Sequence, residues 1–350
     1  MTSHRSIFLQ ALSKEITTRI PLYCTGYPEL EFINNYIDQF NLKIENSDLT
    51  LINKNYNIIK QMGFDAISLW DFRRGEGSYK LNDGRRVDGW GRIYKDKWYL
   101  WDGVFKNEKD IQDWEYLKLP FKEKFKELKE FLKKTIENLE FVFSLPGLFE
   151  KTWQSIGFNF FAKCLKRNNF KFIEQVVLFF SDYIKKLIKL LQATGAKIFM
   201  VADDFGYKNR TFIPLELWQK LFFKIYEEII ELIHKNKHKI IIHSDGYVSD
   251  MIGVFIDLGF DAVQSLEPNA GVDIFSLFKE FRNQICFIGN LDMSILSFGT
   301  QQQVRDYTRK LIKSAKKYNC SLVVSPTQQI NSKCIPENIN AMIETTKIFK

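Results

Sequence analysis

The chain has 350 residues, 45% hydrophobic and 15% aromatic with only 8 prolines, a composition that excludes a disordered chain and suits one folded body. Its formal charge of +8 arises from 50 Lys and Arg against 42 Asp and Glu, but Lys alternates with Glu in runs such as Lys122 to Lys134, which reads as a solvated helix face rather than a nucleic-acid patch. The cysteines, Cys24, Cys164, Cys286, Cys320 and Cys334, form no paired motif, no apolar run is long enough to span a bilayer and no signal peptide is evident, so a cytoplasmic protein that binds neither membrane nor nucleic acid is expected.

Apolar spacing predicts an amphipathic helix over about Ser6 to Thr17, a strand over Ile20 to Gly26, and a helix from Pro28 through Asp38 with Leu30, Ile33 and Ile37 on one face. Another helix leads to Gly63, and Phe64 to Asp71 reads as a second strand. Glycines 75, 77, 84, 89 and 91 then punctuate short aromatic segments, so about 73–103 is expected to be an inserted β-hairpin. Charged helices follow to about Glu137, and Leu139 to Gly147 is the third strand.

A long helix from Phe170 to Ala193 ends at Gly195, and the apolar run Ala196 to Gly206 stops on Asp203 and Asp204. A run apolar on both faces suits a strand covered by helices. Pro214 opens the helix that feeds KIIIHSDGYVSD, Lys239 to Asp250, where an apolar strand ends in His243, Ser244 and Asp245. Strands over Ala262 to Pro268, Cys286 to Asp292 and Ser321 to Gln328 alternate with further helices, the last opened by Pro336. Eight strands, each followed by helix, imply a single (β/α)8 TIM barrel over 1–350, with an N-terminal helical extension and the hairpin after strand 2.

Such a barrel places its site at the C-terminal strand ends. The polar residues there are Asp71, Asp203 and Asp204, His243 and Asp245, Glu267, Asn290 and Asp292, and Thr327 and Gln328. His243 and Asp245, two residues apart, share one face and can reach one metal ion or substrate. Asp203, Asp245, Asn290 and Asp292 are equally suited to capping helices, His243 to packing, and Arg73 and Arg74 to either an anion or an exposed loop.

The segments GFDAISLWD, VDGWGRIYK, VADDFG, IIIHSDG, LGFDAVQSLEP, IGNLD and PENINAMI, from about Arg19 to Ile348, resemble the uroporphyrinogen decarboxylase superfamily (URO-D domain), which also contains corrinoid-linked methyltransferases. The decarboxylase branch implies a cofactor-free barrel in which Asp71 matches a pyrrole-organising aspartate. The other positions depart from that pattern: TGYPEL replaces an arginine-bearing segment, and Trp153, Asp204 and Gln328 stand at its tyrosine, serine and histidine. The methyltransferase branch implies zinc held by His-x-Cys and a second Cys; here His243 matches, Asp245 stands at the first Cys and Gln328 lies close to the second.

Zinc accepts carboxylates as well as imidazole, so the resemblance implies zinc or another divalent metal on His243, Asp245 and Glu267. The function it implies is metal-dependent transfer of a methyl group between a small donor and a corrinoid on a partner protein. Asp204 or Asp71 would act as acid or base, Trp70, Trp153 and Tyr207 would wall the pocket, and Arg73, Asn290 and Gln328 would contact substrate. Trp90, Trp98 and Trp101 of the hairpin would dock the corrinoid protein, and a homodimer is compatible with the family. The alternatives are a cofactor-free decarboxylase of tetrapyrrole biosynthesis and a non-catalytic corrinoid- or tetrapyrrole-binding barrel.

Overall fold

The run IFMVA is apolar on both faces and KIIIHS is apolar from Ile240 until it ends in His243 and Ser244, and each becomes a strand buried along nearly its whole length. In the computed structural model, which describes residues 6–43, 56–70, 77–119, 122–133 and 139–349, they belong to a barrel. Asp71 and Arg73 lie outside the described residues. The chain begins β1 (Tyr23–Cys24), β2 (Ala66–Leu69), β3 (Ser78–Lys80), β4 (Arg86–Asp88), β5 (Arg92–Lys95) and β6 (Trp98–Gly103). It continues β7 (Glu140–Pro146), β8 (Ile198–Ala202), β9 (Lys239–Ser244), β10 (Ala262–Ser265), β11 (Cys286–Leu291) and β12 (Leu322–Pro326).

Strands β1, β2 and β7 to β12 pair in parallel in that order, and a parallel bridge from Leu22 to Val324 joins the last strand back to the first. This is the (β/α)8 barrel that the alternating pattern predicts. Its N-terminal helix, Ile7–Leu12, is shorter than expected; Ser6 caps its start and Lys14 turns the chain with a φ of +59°. The helix buries Phe8, Ala11 and Leu12 against the inward side chains of the strands, among them Tyr23, Val142, Ile241 and Ile288. Ser321 Oγ, just before β12, donates to Ala11 O at 2.7 Å, so the helix plugs the end of the barrel where strands begin.

The insertion is larger than one hairpin: β3 to β6 form a separate four-stranded antiparallel meander. Its anchor is Trp90, buried with ring centroids 5.7 Å from Phe180 and 5.1 Å from Tyr183 on the helix Phe170–Thr194. Asp88 accepts from the Trp90 and Arg92 amides and pairs with the Arg92 guanidinium, whose other arm donates to Gln154 on the helix Leu148–Ile156. Trp90 is therefore core and has no face to offer a partner, whereas Trp98 and Trp101 are exposed.

Candidate metal centre

Strand alternation sets the interior of the barrel. Ile241 lies in the apolar layer against the N-terminal helix, and His243, two residues further along β9, enters the layer above. That layer is polar: Thr25, Ser68, Ser144, Gln264 and Ser325 are all buried there, and the Ser144 hydroxyl has no hydrogen-bond partner. Register places His243 of β9 directly beside Gln264 of β10.

The Gln264 amide resolves the state of the imidazole. Its Nε2 donates to Thr25 Oγ1 at 3.2 Å and to the Thr327 carbonyl at 3.1 Å, and a carbonyl only accepts, so this end must be the NH2. Gln264 Oε1 therefore faces His243 Nδ1, with which it is hydrogen-bonded, and Nδ1 carries the proton. In the neutral ring the lone pair then sits on Nε2. That nitrogen lies 3.6 Å from Asp245 Oδ1, beyond hydrogen-bond length, and Asp245 Oδ1 is buried with no hydrogen-bond partner.

Asp204 completes the cluster. Its Oδ1 accepts from the Asp245 backbone amide at 3.0 Å, and ligand atoms of Asp204, His243 and Asp245 all lie within 4.8 Å of one another. Burial, and then the charges of Glu150 and Asp245, push the Asp204 carboxyl up to about 6. An imidazole lone pair and two carboxylates, one with an orphaned buried oxygen, fit a divalent cation of the kind that takes mixed nitrogen and oxygen donors.

Glu267 stands outside this group of three. Its Oε2 accepts from the Gly246 amide at 3.0 Å and its Oε1 from Gln328 Nε2 at 2.8 Å, bracing the end of β9 against the end of β12. Burial and the Asp245 charge raise its pKa. Asn290 is buried, with Nδ2 on Leu266 O and Oδ1 on the Tyr307 hydroxyl, both at 2.6 Å, so both ends of its amide are used within the fold. Asp203 turns away from the centre and caps the helix Leu148–Ile156 by accepting from the Phe149 and Glu150 amides. Asp292 caps the helix Met293–Phe298.

Trp70 lies against Gly26 on the β1 side, its indole donating to Ser68 Oγ at 2.6 Å. Trp153 is buried between Trp101 and Phe212, with ring centroids at 5.2 and 5.9 Å, and Tyr207 packs on Phe212. Trp101 and Tyr207 line a cavity of about 710 Å³ whose other walls include Asp204, Asp245, Glu267 and Gln328. Sequence reasoning missed Gln264, although a buried polar residue at the inward phase of AVQS, beside His243, was the available signal.

The family described as uroporphyrinogen decarboxylase (URO-D) is matched over residues 149–349. A methyltransferase from Methanosarcina mazei superposes with a TM-score of 0.68 at 14% identity, over 97% of each chain. A B12-independent methionine synthase from Shewanella sp. W3-18-1 superposes with a TM-score of 0.54 at 15% identity, over 95% of this chain and 98% of that one. At such identities the likeness carries the fold and not the reaction. Comparison with curated protein sequences gives no match. No helix among the described residues is long and apolar enough to cross a membrane. With more than half of the sequence matched and the barrel complete, the protein belongs to the uroporphyrinogen decarboxylase (URO-D) family.

Proposed function

We propose that the protein is a metal-dependent methyl-transfer enzyme, moving a methyl group between a small donor and a corrinoid held on a separate protein. The observation that carries this reading is the convergence of Asp204, His243 and Asp245 around a buried carboxylate oxygen that has no hydrogen-bond partner among the described residues. A divalent ion held there supplies Lewis acidity to a donor oxygen such as that of a methyl ether.

The residues divide the remaining work. Gln264 holds the His243 ring with Nε2 facing the cleft, and the Asp245 amide holds Asp204 in place. Trp101 and Tyr207 wall the donor, and Trp153, buried behind Trp101, backs that wall. Trp98, an exposed indole of β6 outside the cavity lining, offers the surface for the corrinoid protein. The runner-up, decarboxylation of a polycarboxylate tetrapyrrole, is disfavoured by a mouth that among the described residues sets Asp204, Asp245, Glu267 and Asp292 against Lys208 alone.

The test is metal analysis of protein dialysed against zinc. Wild type is expected to retain a stoichiometric ion and His243→Ala to lose it, with methyl transfer abolished by chelation. A wild type that retains no divalent ion, or equal retention by His243→Ala, overturns the proposal.

A further inference from the structure

Beside the three-donor centre lies a second cavity of about 610 Å³, walled by Trp101, Phe158, Tyr207 and Phe212. Among the described residues Arg210 is the only charged one lining it. Among the described residues the Arg210 guanidinium makes no hydrogen bond, ion pair or ring contact. Trp101, Tyr207 and Phe212 also line the cavity that holds Asp204 and Asp245, so the two spaces form one cleft.

Its walls are fixed in place. Tyr207 N donates to Arg210 O at 2.7 Å and Phe212 N to Phe205 O at 2.9 Å, closing the loop that carries Tyr207, Arg210 and Phe212. A Cβ on Gly206 would sit 2.6 Å from Tyr247 O, so this loop packs backbone to backbone on the one after β9. Trp101 is held at a φ of +57°, a strained position for a non-glycine residue, with its ring stacked on Trp153. Even so, Trp101 and Tyr207 remain 57% and 49% exposed, turning free ring surface to the cleft.

We propose that this vestibule binds an aromatic carboxylate, the ring lying against Trp101 and Tyr207 and the carboxylate pairing with Arg210. A guanidinium presents a planar fork that a carboxylate meets with two parallel hydrogen bonds, and aromatic walls favour a flat ring. The inner cavity sets the orientation: among the described residues its lining carries four carboxylates, Asp204, Asp245, Glu267 and Asp292, against the single cation Lys208, so the anionic end is disfavoured there and the opposite end of the ring points towards the three donors. If the methyl-transfer reading holds, on which this last step rests, that end carries the methyl group, and the substrate class is a methylated arene carboxylate.

The probe is 4-methoxybenzoate, titrated calorimetrically and by tryptophan fluorescence into metal-free and zinc-loaded protein, with 4-methoxybenzamide and benzyltrimethylammonium as neutral and cationic controls. The benzoate is expected to bind metal-free protein about 10- to 100-fold more tightly than the amide, the range of one charge-assisted pair. Arg210→Gln should erase that preference while leaving the amide affinity and Tm unchanged, and Trp101→Leu should weaken both ligands. Equal or tighter binding of the amide, tighter binding of the ammonium, no effect of Arg210→Gln, or benzoate binding only to zinc-loaded protein each overturn the proposal. Failure of zinc to bind, with benzoate binding intact, would instead remove the methyl-transfer reading and leave the vestibule standing.

Discussion

Replacing Gln264 by leucine isolates the one side chain that fixes the imidazole. The native amide accepts from His243 Nδ1 and donates to Thr25 Oγ1 and Thr327 O, so leucine of similar bulk removes three hydrogen bonds without opening a large void. The buried Thr327 carbonyl loses this donor but keeps the Ser265 hydroxyl at 3.1 Å, which limits the stability cost to about 1–3 kcal/mol. Without an acceptor at Nδ1 the ring is free to turn or to move its proton to Nε2, where it blocks a metal. Outer-shell partners of this kind typically govern metal affinity by about 10- to 100-fold, which is about 1.4–2.8 kcal/mol.

The expected result is therefore that Gln264→Leu weakens zinc binding by one to two decades, read by competition with a chromophoric chelator at pH 7.5. Long-range 1H–15N NMR on metal-free wild type should show His243 protonated at Nδ1, a tautomer that Gln264→Leu loses. A wild-type ring protonated at Nε2, or an unchanged zinc affinity in the variant, would refute the assignment of Gln264 as the orienting group.

Two other outcomes follow from burial. Asp203 is pushed up to about 7 and Asp204 to about 6 by desolvation, so the folded protein binds protons that the unfolded chain has already released above pH 4. Metal-free protein should accordingly lose stability as pH rises from 5 to 7.5, by about 2–3 kcal/mol from Asp203, whereas stabilisation by zinc should grow over the same range because protons compete for Asp204. Thermal unfolding with chelator and with zinc checks both signs, and a metal-free Tm that climbs with pH contradicts them. Trp90→Ala should cost about 3–5 kcal/mol by detaching the inserted sheet, while Trp98→Ala, on an exposed indole, should stay within about 0.5 kcal/mol; denaturant unfolding distinguishes them, and equal losses would disprove the anchoring role.

The barrel is legible in the sequence because strands covered on both faces carry short apolar runs, IFMVA in β8 and III in β9, bounded by polar residues. His243 and Asp204 are legible for the same reason: each interrupts an apolar run where the site of a barrel must lie. What escapes is phase beyond the strand end. β8 stops at Ala202, so which of Asp203 and Asp204 faces the centre is decided by the turn that follows, and Asp203 goes to the helix Leu148–Ile156. Glu267 follows Ser265 and Leu266, whose φ values of +110° and +59° break the alternation and carry the carboxylate to Gly246 and Gln328. The metal set that the resemblance implies, with Glu267 as third member, thus differs from the convergent set, which has Asp204 in that place. The insertion's glycines announce turns, but not how many strands lie between them.

The contact between Leu22 and Val324 has a bearing on how the chain is made. The first barrel strand finds its second neighbour only after the twelfth has been synthesised, and Thr25 meets Ser325 across 300 residues of chain. The entropy of that closure grows only slowly with length, but the contact forms late. Until then a nascent chain would carry the Ile7–Leu12 helix with nothing to plug and the His243–Gln264 pair without Thr25 and Thr327 to complete it. A ribosome-bound chain released before β12 is thus a half-pipe with open edges, prone to aggregation, and the site comes into being in the final step of folding.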